Sequence, residues 1–166
     1  MTAPGPAWGR WLGLAMLFAA LTGCITPPRS ETPPGVQAWN GRLALTVEGN
    51  QSQSFSAGFE LKGSAASGEL TLFTPLGGTA GALAWAPGTA TLRTGGDVRQ
   101  FASLDALVTE VTGSAIPIAS MFDWLQGKPT EVPGWQVDVS QVADGRLRAQ
   151  RTAPPPPAEL RVVFER

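Results

Sequence analysis

Histidine and tyrosine are absent from this sequence of 166 residues, and Cys24 is its only cysteine. The lack of histidine excludes Ser-His and Cys-His nucleophilic pairs, histidine acid-base catalysis and His/Cys zinc sites. Carboxylates remain, but they are scattered, and Glu48, Glu60 and Glu69 lie near predicted strand ends, where a solvated surface charge is the expected role. We therefore predict no catalytic residue, no metal and no cofactor. A hydrolase that acts through scattered carboxylates is the remaining enzymatic alternative.

An excess of charge of one sign is also missing. The chain has 12 basic and 13 acidic residues, a formal net charge of −1 and no long run of like charge. Nucleic-acid-binding surfaces and polybasic membrane patches carry clustered basic residues. The sequence therefore predicts neither of them, and residues 37–166 have the size of one domain.

The amino terminus has the pattern of an export signal. Residues 11–21 form an unbroken apolar run after a single basic residue, Arg10. At about 1.5 Å per residue, this run is too short to cross a hydrocarbon core of roughly 30 Å, but it matches the core of a signal peptide. Residues 21–24 (LTGC) resemble the lipobox of bacterial lipoproteins. We predict a signal peptide over residues 1–23 and lipidation of Cys24; the alternative is a free cysteine beyond an ordinary signal peptide.

The segment that begins at Cys24 indicates how the chain would be anchored. A lone thiol in an oxidising compartment has no disulfide partner, and lipidation removes that liability. Stable attachment takes at least two acyl chains, at about 0.8 kcal/mol per buried methylene. Residues 24–36 are proline-rich and polar, which predicts a semi-rigid spacer. In enterobacteria-like sorting an aspartate after the cysteine favours the inner membrane. Ile25 is not aspartate, so the resemblance points to the periplasmic face of the outer membrane.

Period-two alternation dominates the rest of the chain. Leu43, Leu45 and Val47 share one face of a predicted strand, and Phe55 and Phe59 share one face of the next. Tight-turn signals separate these runs, which predicts an antiparallel meander. The predicted strands cover residues 39–48, 54–61, 67–73, 79–85, 89–93 and 98–101.

The pattern then changes to helical spacing. Ser103 is placed to cap a helix over residues 104–111 that ends before Gly113, and a second short helix before Gly127 carries Met121 on its apolar side. We predict one antiparallel sheet, interrupted by a helical insertion that covers its apolar face. Patterning does not decide between a filled core and an open cavity under that cover. Strand patterning resumes over residues 135–139, 146–151 and 160–164.

Several segments, in this order along the chain, resemble the LolB family of outer-membrane lipoproteins. Their order and spacing carry the resemblance, which covers essentially all of the chain after Cys24. The segments are residues 41–45 (GRLAL), 74–79 (TPLGGT), 112–118 (TGSAIPI) and 124–129 (WLQGKP), followed by Trp135 and residues 157–160 (PAEL).

The resemblance implies both a fold and a task. The implied fold is mainly β with short helices (α+β), an incomplete antiparallel β-barrel formed by a strongly curved sheet, with a helical lid over an apolar cavity. The implied task is to accept acylated lipoproteins from a LolA-like periplasmic carrier and to insert them into outer-membrane lipid, as a monomer and without catalysis. The alternative is a scaffolding lipoprotein whose apolar sheet face is a filled core.

Leu76 is the residue that the resemblance singles out. Pro75 and Gly77 suit a tight, projecting turn with a large apolar side chain at its tip. The matching family position is an exposed leucine that passes cargo to the membrane, whereas an ordinary turn leucine would fold back onto the core. We also predict a pool of cavity-lining residues: Phe55, Phe59, Leu72, Leu83, Trp85, Met121, Phe122, Trp124, Leu125 and Trp135. For each of them plain core packing is the alternative.

Overall fold

The computed structural model describes residues 36–49 and 53–165. The predicted signal peptide, the Cys24 lipidation site and residues 24–35 of the predicted spacer lie outside the described residues. None of the described helices is long and apolar enough to cross a bilayer.

Alternating apolar and polar side chains build a sheet of nine antiparallel strands within the described residues. The inward side chains of β9 show the pattern clearly, since Leu160, Val162 and Phe164 are buried while Arg161 and Val163 are exposed. The strands are β1 Gln37–Val47, β2 Gln53–Gly63, β3 Gly68–Phe73, β4 Thr79–Ala86, β5 Thr89–Thr94, β6 Asp97–Phe101, β7 Trp135–Asp138, β8 Arg146–Arg151 and β9 Ala158–Glu165.

The strand order is β6-β5-β4-β3-β2-β1-β9-β8-β7, so β6 and β7 are the two edges of the sheet. The chain leaves the β6 edge, passes through the helices and re-enters at the β7 edge. This connection covers the apolar face of the sheet, since Leu107 and Met121 of the helices belong to the same buried cluster as the inward strand residues. The predicted fold class, an open curved antiparallel sheet with a helical lid, is confirmed.

Two short helices form this lid: α1 spans Leu104–Thr112 and α2 spans Ile118–Trp124. The predicted cap of α1 is confirmed, because the hydroxyl of Ser103 accepts a hydrogen bond from the Ala106 N–H at 3.1 Å. The predicted second helix is present as α2, which ends before Gly127 with Leu125 as its C-cap.

The remaining boundaries agree with the sequence patterns to within about two residues. One turn of 3-10 helix, Val142–Asp144, was not predicted. Strands β1 and β9 approach unusually closely at Gly41, where an added Cβ would lie 2.1 Å from the carbonyl oxygen of Val163. Only glycine fits at that position.

Candidate functional site

A cavity of about 300 Å³ lies between the concave face of the sheet and the lid. Strands β1 to β5 and β9 supply one wall, including Leu43 and Leu83, and the helices supply the other, including Val108 and Met121. This volume is at the small end of the range for ligand pockets, roughly 300–1,000 Å³. The apolar face of the sheet is therefore not a completely filled core.

Strand register explains why these side chains meet. Leu83 on β4 pairs with Leu70 on β3 and with Leu92 on β5, which places three leucines in one inward row. Leu45 on β1 pairs with Phe55 on β2 and with Leu160 on β9, which gives a second row. These two rows form the floor of the cavity.

The cavity is almost purely apolar. No ionisable side chain of the described residues lines it, and its hydroxyl groups belong to Thr94 and Thr112. The Thr112 hydroxyl lies 2.8 Å from the carbonyl oxygen of Val108 and 2.7 Å from that of Ser114, so its hydrogen-bonding capacity is used within the protein. Such a cavity favours an uncharged, apolar ligand, because a charge placed there would find no partner.

The cavity opens at one end of the sheet, which we call the mouth. Phe55 at the start of β2 is 40 % exposed, and Val111 at the end of α1 is 47 % exposed, although both line the cavity. Thr94, the last residue of β5, is an exposed lining residue as well. The mouth thus lies between the sheet and the carboxyl end of α1.

The turn that carries Leu76 projects from the same end, because it joins the last residue of β3, Phe73, to the first residue of β4, Thr79. The Gly77 N–H donates to the Thr74 carbonyl at 2.9 Å, and Gly77 has a φ of +84° that suits glycine. The Leu76 side chain is 99 % exposed, so it does not fold back onto the core.

The opposite end of the sheet, which we call the closed end, is filled by aromatic rings. The Phe122 ring packs edge-on against Trp39 and Trp85, with centroid distances of 5.6 and 6.1 Å. The Trp85 indole N–H also donates to the carbonyl of Ala65 at 3.2 Å. All three rings are buried, and none of them lines the cavity.

Comparison with known proteins gives the family. Residues 37–161 match the family model described as outer membrane lipoprotein LolB. The chain belongs to the LolB family. The LolB match begins at the first residue of β1 and runs into β9, so it includes the lid and the cavity between them.

Relatives named outer-membrane lipoprotein LolB come from several bacteria. The Bordetella petrii LolB is 34% identical over 171 residues, which cover 87% of this chain and 85% of the relative. The Bordetella parapertussis LolB is 34% identical over 128 residues, covering 72% of this chain and 64% of the relative. The Vibrio campbellii LolB is 33% identical over 138 residues, covering 76% of this chain and 68% of the relative.

The predicted lining pool of this LolB-family chain divides between the cavity and the surrounding core. Four of its residues line the cavity: Phe55, Leu72, Leu83 and Met121. The other six are buried without lining it: Phe59, Trp85, Phe122, Trp124, Leu125 and Trp135. The predicted pool did not include aliphatic lining residues such as Leu43 and Leu70, although they point inward from their strands as Leu83 does.

Proposed function

We propose that this LolB-family protein accepts acylated lipoproteins from a LolA-like periplasmic carrier and inserts them into the outer membrane. Acyl chains pass directly between apolar cavities, and no covalent step is involved. An apolar cavity that is open at one end, beside a fully exposed leucine, supports this proposal most directly.

The free energy of acyl chains in water explains why a direct hand-over is needed. At about 0.8 kcal/mol per methylene, several long chains would cost tens of kcal/mol to expose to water. Free diffusion across the periplasm is thus excluded. Direction requires only that this cavity binds the chains better than the carrier does and that the bilayer offers a still lower free energy.

The proposed anchor would hold the protein at the membrane that receives the cargo. Lipidated Cys24 would hold the chain at the periplasmic face of the outer membrane, and residues 24–36 would serve as the spacer. The protein would act there as a monomer. A scaffolding lipoprotein with a filled core is not favoured, because the concave face of the sheet retains an apolar cavity.

Leu76 is the proposed contact between the mouth and the bilayer. Burying one leucine side chain in lipid contributes about 1.5–3 kcal/mol, which is too little to anchor a protein but enough to orient the mouth towards the membrane. The exposed turn can enter lipid without any rearrangement of the core, since Leu76 packs against nothing that would have to move.

A transfer assay tests this function. A fluorescently labelled triacylated lipoprotein, loaded on its carrier, is mixed with the protein in phospholipid vesicles, and insertion of the label into the bilayer is followed. We expect wild type to insert the cargo and Leu76→Glu to accept it without inserting it, with an unchanged free energy of unfolding.

Val163→Glu is the matched control, because Val163 is 58 % exposed on the outer face of β9, away from the mouth. It adds the same charge and should insert cargo as wild type does. Failure of the wild-type protein to take cargo from the carrier would refute the proposed function. Equal insertion by wild type and Leu76→Glu would refute the role of Leu76.

A further inference from the structure

Arg151 occupies an inward position of β8 where the alternation calls for an apolar side chain. Leu147, Ala149 and Arg151 share the buried face of the strand, and Arg151 is only 5 % exposed. Arg151 does not line the cavity, so the cavity does not explain why a guanidinium is buried here. Burying a charge is costly unless it is well hydrogen-bonded, so its contacts indicate what it does.

The guanidinium joins several segments of the chain. One terminal nitrogen donates to the Ala115 carbonyl at 3.3 Å, and the other donates to the Ser114 hydroxyl and to the Pro156 carbonyl, the latter at 2.8 Å. The group also lies over the Trp135 ring, 5.7 Å from its centroid. The Trp135 indole N–H donates to the same Ala115 carbonyl at 3.3 Å.

Ser114 and Ala115 belong to the connection between the two lid helices. On one side of them Thr112, the last residue of α1, lines the cavity, and on the other side Ile116 and Ile118 do so. Arg151 therefore fixes the middle of the lid to the sheet from underneath. Any outward movement of this part of the lid has to break its bonds to Ser114 and Ala115.

The chemistry of the contacts suits a bond that can be broken and remade. Every acceptor of Arg151 named above is a neutral carbonyl or hydroxyl, and no ion pair among the described residues includes it. Separating the lid would leave no unpaired buried carboxylate behind, unlike the opening of a buried salt bridge. The Pro156 carbonyl and the Trp135 ring would still hold the cation on the sheet side.

We propose that Arg151 is a positioning residue of the lid: it fastens the α1–α2 connection to the sheet and thereby sets how readily the cavity admits and releases acyl chains. This inference rests on the proposed function for its consequence in transfer. The attachment of the lid itself can be measured without any ligand.

Hydrogen exchange of the full chain in phospholipid vesicles tests the attachment. The variants are Arg151→Gln, Arg151→Lys and the milder Ser114→Ala, which removes one acceptor. Arg148→Gln is the matched control, because Arg148 lies on the same strand with its side chain 52% exposed on the outer face. We expect exchange of amides in residues 104–118 to accelerate about tenfold or more in Arg151→Gln, by a smaller factor in Ser114→Ala and Arg151→Lys, and not at all in the control.

Amides of β2 and β3 distinguish loosening of the lid from a general loss of stability. They should exchange as in wild type, whereas an equal acceleration in sheet and lid, or none in either, would overturn the proposal.

The same variants are compared for the rate at which a labelled triacylated lipoprotein passes from carrier to vesicle, and we expect Arg151→Gln to change that rate. If wild type transfers cargo and Arg151→Gln does so at the same rate, Arg151 has no effect on transfer and that part of the proposal is overturned. If wild type takes no cargo, the proposed function is refuted, but the exchange test of the lid attachment remains valid.

Discussion

The two ends of the sheet differ in what fills them. At the closed end, the ring of Phe122 packs edge-on against those of Trp39 and Trp85, and none of the three rings lines the cavity. At the mouth, aliphatic side chains line an open space, and Phe55 and Val111 are partly exposed. Large aromatic rings bury much apolar area with few rotatable bonds, whereas a lining around empty space forfeits contacts. The closed end therefore carries stability that allows the mouth to remain unfilled.

Removal of a ring from the closed end should give the largest effect on folding. Phe122→Ala deletes a buried ring that contacts both Trp39 and Trp85, so we expect the free energy of unfolding to fall by about 3–5 kcal/mol. Phe55→Ala is the counterpart at the mouth and should cost about 1 kcal/mol, because its side chain is already partly exposed. Urea denaturation measures both, and equal losses would contradict the division between the two ends.

Filling the mouth should reduce binding and hardly affect folding. A Cβ on Gly81 would lie 3.3 Å from the Thr94 methyl and 3.9 Å from Leu92 Cδ1, so the side chain of Gly81→Leu would extend into the cavity. We expect binding of a fluorescent palmitoyl ester by the unlipidated Cys24→Ser protein to weaken at least about tenfold, equivalent to 1.4 kcal/mol.

Ala84→Leu is the matched control for this substitution, since Ala84 lies on the same strand and its side chain is exposed on the other face. It should bind the ester as wild type does. In a filled core, Gly81→Leu would instead behave as overpacking and lower the free energy of unfolding by about 1–3 kcal/mol. A large loss of stability with unchanged binding would therefore argue against an acyl-chain cavity.

The sequence predicted the strands and the lid because alternation and capping are local properties. The alternation of side chains along the strand placed Leu83 and Trp85 on the same inward face, but it does not say where along β4 the open space lies. That depends on cross-strand register, in which Leu83 lies between leucines of β3 and β5 while Trp85 lies against Gly68 at the closed end. Trp85 therefore packs in the closed end and does not line the cavity, whereas Phe55 at the mouth does.

Leu76 and Arg151 illustrate the same difference between features that depend on local sequence and features that depend on long-range contacts. The turn that carries Leu76 was predictable, since Pro75 and Gly77 specify it locally, whereas the exposure of the Leu76 side chain was expected only from the resemblance to the LolB family. The contacts of Arg151 with the lid were not predictable, because Ser114 and Ala115 lie more than 30 residues away in the sequence. Its only local signal is a charge at an inward position of an alternating strand.

The smallest expected effect concerns pH. On the outer face of β9, hydrogen bonds from Arg161 at 2.9 Å and from Arg148 at 2.6 Å lower the pKa of Glu159, the Arg161 bond being the larger cause. A lowered folded-state pKa means that the stabilisation is complete above the ordinary glutamate value of 4.5 and is lost as the pH falls through the folded-state value. We expect less than about 1 kcal/mol, since such surface pairs contribute little.

Glu159→Gln should remove this acid-dependent part of the free energy of unfolding, which urea denaturation at a series of pH values would detect. Binding of the palmitoyl ester should stay constant between about pH 5 and 8 in both proteins, because no ionisable side chain of the described residues lines the cavity. If affinity instead changed severalfold over this range, a titrating group would have to act at the mouth, and the separation between a charged outer face and an uncharged cavity would fail.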